Sequence, residues 1–81
     1  LVPAYFFHLS ENGSLIVDEE GTNFVDDAAA RDAAIRAARD VLAGAVYEGR
    51  LPLTDAVIVT DHIGQTVCSV TLGAAVGQPP Q

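Results

Sequence analysis

Asp26-Asp27-Ala28-Ala29-Ala30-Arg31-Asp32-Ala33-Ala34-Ile35-Arg36-Ala37-Ala38-Arg39-Asp40-Val41-Leu42-Ala43-Gly44-Ala45-Val46-Tyr47-Glu48-Gly49 is a helix written with both of its ends. Ala34, Ala38, Val41, Leu42 and Ala45 recur at helical spacing, and Ile35 and Val46 broaden the apolar stripe. Asp32, Arg36, Arg39 and Asp40 fall opposite, with Asp32 and Arg36 placed as an i,i+4 pair worth roughly 0.2–0.5 kcal/mol. Asp26 or Asp27 can accept a hydrogen bond from the first free backbone N–H groups, and either carboxylate suits the positive end of the helix dipole. Val25 is placed to act as a staple residue, and Gly49 ends the helix. The pattern predicts a helix from Ala28 to Glu48. Alanines on its buried side let its axis come close to a sheet.

The flanking segments supply that sheet. Tyr5-Phe6-Phe7-His8-Leu9 is short and aromatic, bounded by Pro3 and by Glu11-Asn12-Gly13. Asn12-Gly13 suits the positive-φ positions of a tight turn, and Leu15-Ile16-Val17 follows as a return strand. Asp18 to Asn23 reads as a solvated loop leading into the helix. After a connection containing Pro52, Ala56-Val57-Ile58-Val59-Thr60 is strongly β-branched. Asp61 to Gln65 is a hairpin loop, and Thr66 to Leu72 alternates with Cys68, Val70 and Leu72 on one face.

The order is therefore β-β-α-β-β, an α+β fold with one helix on one face of about four antiparallel strands. Residues 1–72 form a single domain, and 73–81, with Gly77 and Pro79-Pro80, read as a flexible C-terminal tail. Such a sheet has an uncovered face. Alternation sets Phe6 and His8 opposite Phe7 and Leu9, and Ile58 opposite Val57 and Val59. With Cys68, Val70 and Leu72 under the helix, Val67 joins Phe6 and Ile58 on the far side. Phe6, His8, Ile58 and Val67 are thus the expected interaction surface, unless the tail folds over it.

Composition narrows the function classes. The 81 residues are 49% hydrophobic and 19% charged, with a mean hydropathy of +0.28, which excludes a disordered tail. A domain near this size buries only roughly 60% of its unfolded surface and gains from a helper. The single cysteine, Cys68, forbids an intrachain disulfide, and two histidines with one thiol cannot fill a zinc site without carboxylates. Self-association is the expected helper. Eleven acidic against four basic residues give a net charge of −7, and Arg31, Arg36, Arg39 and Arg50 form no basic stripe. Nucleic acid and anionic membrane surfaces are disfavoured as partners. No apolar run approaches the ~20 residues of a membrane span, and no signal-peptide pattern opens the chain, so the expected location is cytoplasmic.

Tyr5-Phe6-Phe7-His8-Leu9, Asp18-Glu19-Glu20-Gly21, the alanine-rich helix, and Val59-Thr60-Asp61 with Gly64 and Val67 form a recognisable set. On these residues the chain resembles a family of small uncharacterised bacterial proteins, a domain of unknown function whose members open with Arg-Tyr-Phe-Phe-His-Leu. The resemblance runs from about Tyr5 to Leu72. The chain departs from it at Ala4, where a basic residue is expected, and at Leu72, where an aromatic is common. It implies the same fold and a bacterial cytosolic origin, and transfers no activity and no catalytic residue.

Candidate chemistry is sparse. His8 can serve as a general base or ligand, but between strand residues it reads as a packed group with a bonded ring nitrogen. His62 beside Asp61 reads as a solvated turn residue. Asp18, Glu19, Glu20, Asp26 and Asp27 offer oxygens for a hard cation, yet their spacing does not match a calcium loop, and helix capping and loop solvation account for them. Cys68 alternates with Val70 and Leu72 as a small buried group rather than an activated nucleophile. No phosphate loop, nucleophile elbow or CxxC is present. The sequence thus points to a non-enzymatic protein-interaction module without cofactor or metal, a homodimer through an apolar sheet face or edge, with a further protein partner open. The alternative is a small acidic, antitoxin-like regulator covering a basic protein.

Overall fold

A computed structural model describes residues 2–77. Strands β1 (Ala4–Glu11) and β2 (Ser14–Ile16) form the hairpin expected around Asn12-Gly13. The two turn residues have φ of 53° and 84°, the left-handed pair that a two-residue hairpin turn requires. β1 also pairs with β4 (Ala56–Thr60), and β4 with β5 (Thr66–Thr71), all antiparallel, giving the order β2-β1-β4-β5. With helices α1 (Asp27–Tyr47) and α2 (Leu72–Gly77), the fold is α+β as read from the sequence.

The inventory of the described residues is larger than expected, with five strands and two helices. The segment read as a solvated loop contains β3 (Thr22–Asn23), which pairs with Ala4 and Tyr5 at the start of β1. Between the stretches of β1 held by β2 and β3, Asp18 supplies what the ladder lacks: its Oδ2 accepts the Phe7 N–H at 3.0 Å. Its Oδ1 accepts the N–H groups of Glu20 and Gly21, closing an Asx turn.

Of the two candidate caps, Asp26 is the N-cap, with Oδ1 accepting the Ala29 N–H at 2.9 Å. Asp27 instead accepts the Tyr5 hydroxyl at 2.7 Å, tying α1 to β1. The helix ends in a Schellman closure, Arg50 N–H to Ala45 O and Gly49 N–H to Val46 O, with Gly49 at φ 86°. Ala30, Ala34, Ala38, Leu42 and Ala45 are its buried residues, and Ile35 and Val41 pack at their margin. Three expectations fail here. Val46 is exposed, and Val25 is 74% exposed and staples nothing. Phe24 takes that place, packing edge-on to Tyr5 and tilted against Phe7. Asp32 and Arg36 form no ion pair; the one salt bridge among the described residues joins Arg50 to Glu48.

The core lies between α1 and one sheet face, around Tyr5, Val57, Val59 and Leu72. Leu72 is buried as expected but opens a helix rather than ending a strand, so the domain continues past residue 72. The Thr71 hydroxyl accepts the Ala74 N–H, while Leu72 and Gly73 donate to the carbonyls of Asp55 and Leu53. Together these bonds turn the chain out of β5. α2 then packs beside α1 with Ala75 buried, so residues 73–77 are not a tail and do not cover the far face. The rest of the expected tail, 78–81, lies outside the described residues.

Candidate functional site

Four side chains were expected together on the uncovered face, and three of them are there. Phe6, His8 and Ile58 share it by register, Phe6 opposite Thr60 and His8 opposite Ile58, and all are half-buried. Val67 is not with them. The β4–β5 register slips between Val59, which faces Cys68, and Thr60, which faces Thr66, leaving Val67 as the extra residue of a bulge that packs toward the helix-side core. Leu15, opposite Ser10, adds an exposed apolar group that the sequence reading did not place on this face.

His8 is held at both ring nitrogens. Nδ1 accepts the Asp18 N–H at 3.1 Å, and Nε2 lies 2.9 Å from Thr60 Oγ1. Because Nδ1 receives a proton donor, the ring proton sits on Nε2 and is donated to Thr60. The Phe7 N–H, with the Gly21 and Glu20 N–H groups, holds the Asp18 carboxyl below the usual carboxylate range against the opposing effect of burial. The turn brings Gly21 directly onto the Phe6 ring. Asp18, Gly21 and Thr60 are therefore the supporting residues of this face. Asp18-x-x-Gly21 is the only local sequence signal for them, as an Asx turn.

Four of the eleven acidic residues accept backbone N–H groups. Besides Asp18 and Asp26, Asp61 accepts the Ile63 and Gln65 N–H groups, and Asp55 accepts that of Asn12. Among the described residues no group of three His, Cys, Asp or Glu side chains could hold a metal ion. The Tyr5 hydroxyl is pushed up to about 12 by its bond to Asp27, with burial and the acidic neighbours adding to it.

On the other side of the sheet a groove of about 450 Å³ runs between α1 and the edge strand β5. Arg31, Ile35 and Arg39 form one wall, Cys68 and Val70 the other, and Ala75 closes one end. Burial pushes the Cys68 thiol up, Arg31 partly opposing and Asp27 reinforcing it. Arg39 lies with the exposed face of α1, as the sequence reading has it, but its Nε donates to Ala75 O at 2.7 Å, which fixes it over the groove's end.

The comparison with known families bears on all of this at once. The domain of unknown function DUF6894 matches residues 4–73, from the start of β1 to the first turn of α2. The chain belongs to that family. The matched residues include the His8 network, the open face and both walls of the groove, while Ala75 at the groove's end lies beyond them. No curated protein and no solved structure matches the chain.

Proposed function

We propose that this DUF6894 protein is a non-enzymatic protein-interaction module of the bacterial cytosol that self-associates through its open sheet face. The observation that carries this reading is the placement of both helices on the same side of the sheet. Across the other side Phe6, Ile58 and Leu15 stand among Ser10, Thr60 and Ser69, with the Asp18–Gly21 turn against Phe6 and no helix packed over Ile58 and Leu15 among the described residues. Rigid support suits a contact surface, and here the Asp18 turn and the His8–Thr60 bond supply it. The chemistry of the polar groups supports the same reading. Both nitrogens of His8 are engaged, and burial keeps the thiol of Cys68 protonated, so neither is poised as a base or nucleophile. The test is the native mass of the wild type and of Ile58→Asp by light scattering. A dimer that the substitution converts to a folded monomer is the expected result, and a wild-type monomer at every concentration refutes the reading.

A further inference from the structure

At six residues β5 is the longer of the two strands that end the sheet order, β2 having three. Its sequence, Thr66-Val67-Cys68-Ser69-Val70-Thr71, contains no charge and no proline, the residues that commonly blunt such edges. The bulge at Val67 confines regular pairing to Cys68–Thr71, the stretch that faces the groove. Two of the four cations of an otherwise acidic chain, Arg31 and Arg39, flank Ile35 on the facing wall.

We infer that this groove binds an extended acidic segment of another protein, added as a strand along β5, with carboxylates on Arg31 and Arg39 and an apolar side chain between them on Ile35. The spacings agree. Arg31, Ile35 and Arg39 succeed one another at four-residue intervals, ~6 Å each at about 1.5 Å rise per residue. In an extended chain, alternate residues share a side and stand ~6.6 Å apart at about 3.3 Å per residue. Residues i, i+2 and i+4 of the incoming strand thus meet the three helix positions in turn, and the motif is acid-x-apolar-x-acid. Main-chain bonds to β5 provide affinity and the alternate side chains provide selectivity. The bond from Arg39 to Ala75 O fixes one guanidinium in place beforehand, and Arg31 has no salt-bridge partner among the described residues. A second copy of this chain fits the groove badly, since pairing β5 with β5 about a two-fold axis sets the arginines of the two helices toward each other.

The test uses two blocked, fluorescein-labelled peptides of identical composition, Glu-Thr-Val-Thr-Glu and Thr-Glu-Val-Glu-Thr, titrated by anisotropy at low salt. Only the first places both acids on the same side as the valine, at the spacing of Arg31 and Arg39, and it should bind about tenfold more tightly, as two exposed ion pairs of several-fold each allow. Its amide shift changes should fall on Cys68–Thr71 and on α1. Arg31→Glu, an exposed position with no structural bond, should abolish the preference. One of Lys-Thr-Val-Thr-Glu and Glu-Thr-Val-Thr-Lys should then recover it, reporting the direction of the added strand. Equal binding of the two isomers, no binding at millimolar peptide, shift changes centred on the open face, or β5 amides already protected in a dimer would each overturn the inference. The inference is independent of self-association through the open face, because Ile58→Asp should leave the peptide preference unchanged.

Discussion

Gly21 and Gly49 show how differently two glycines with left-handed backbone can matter. Both have positive φ, 76° and 86°, so any side chain there is strained. Around Gly49 a Cβ would meet open space, whereas at Gly21 it would stand 2.8 Å from Phe6 Cε2. Gly49→Ala should therefore cost about 1 kcal/mol from backbone strain alone. Gly21→Ala should cost about 2–3 kcal/mol, because it also displaces a ring of the open face. Urea midpoints of the two variants check the order, and equal losses would mean that Phe6 yields without penalty. The neighbouring carboxylate contributes through charge. Asp18→Asn should lower stability near neutral pH by about 1 kcal/mol, the scale of a lost charge-assisted acceptor. The folded-state carboxyl of Asp18 is held below its unfolded value of about 3.9. Its contribution is thus complete above that value and disappears as pH falls through the lower, folded one. The gap between wild type and Asp18→Asn should close over that acid window, which urea unfolding along a pH series would show.

At the scale of elements, α2 contributes more than its six residues suggest. Leu72 is 0% exposed and is one of the two largest fully buried side chains. Leu72→Ala should cost about 2–5 kcal/mol, a large share of what a domain this size has. Val76→Ala, one turn along on the exposed side, should change stability by less than about 0.5 kcal/mol. Thermal unfolding of the pair distinguishes a helix docked through Leu72 from one that merely follows β5. The same element marks the limit of sequence reading. Long elements with many periodic residues were legible: α1 from its alanines and Asp26, β4 from its β-branched run, the first hairpin from Asn12-Gly13. A two-residue strand and a six-residue helix containing Gly73 and Gly77 carry too few positions for any period to emerge. The open face was legible to the extent that period two holds. Phe6, His8 and Ile58 obey it, but no residue type announces a bulge, and one extra residue moved Val67 off the face. The groove was out of reach for another reason. Arg31, Ile35 and Arg39 are regularly spaced, yet only their position opposite an unpaired edge gives the spacing a meaning.

For the whole molecule, the thinness of the core bears on self-association. Most of the buried apolar residues are alanines, Leu72 and Val59 are the largest fully buried side chains, and Leu15, Ile16, Leu51 and Ile63 are each more than half exposed. A sheet with one covered face and a core of small side chains leaves apolar surface in water that a second subunit can remove. If the DUF6894 domain dimerises through Phe6, Ile58 and Leu15, association and folding are linked, and stability follows protein concentration by mass action. Raising the concentration tenfold should raise the melting temperature of the wild type, with each tenfold change in a bimolecular equilibrium corresponding to about 1.4 kcal/mol. Ile58→Asp sets a carboxylate in the middle of the contact, so its melting temperature should be lower and independent of concentration. Ile58→Ala, which trims the contact without charging it, should retain a weaker dependence. A wild-type melting temperature that does not move with dilution, while Ile58→Asp remains folded, would show that the thin core suffices for a monomer and that the open face is not used for self-association.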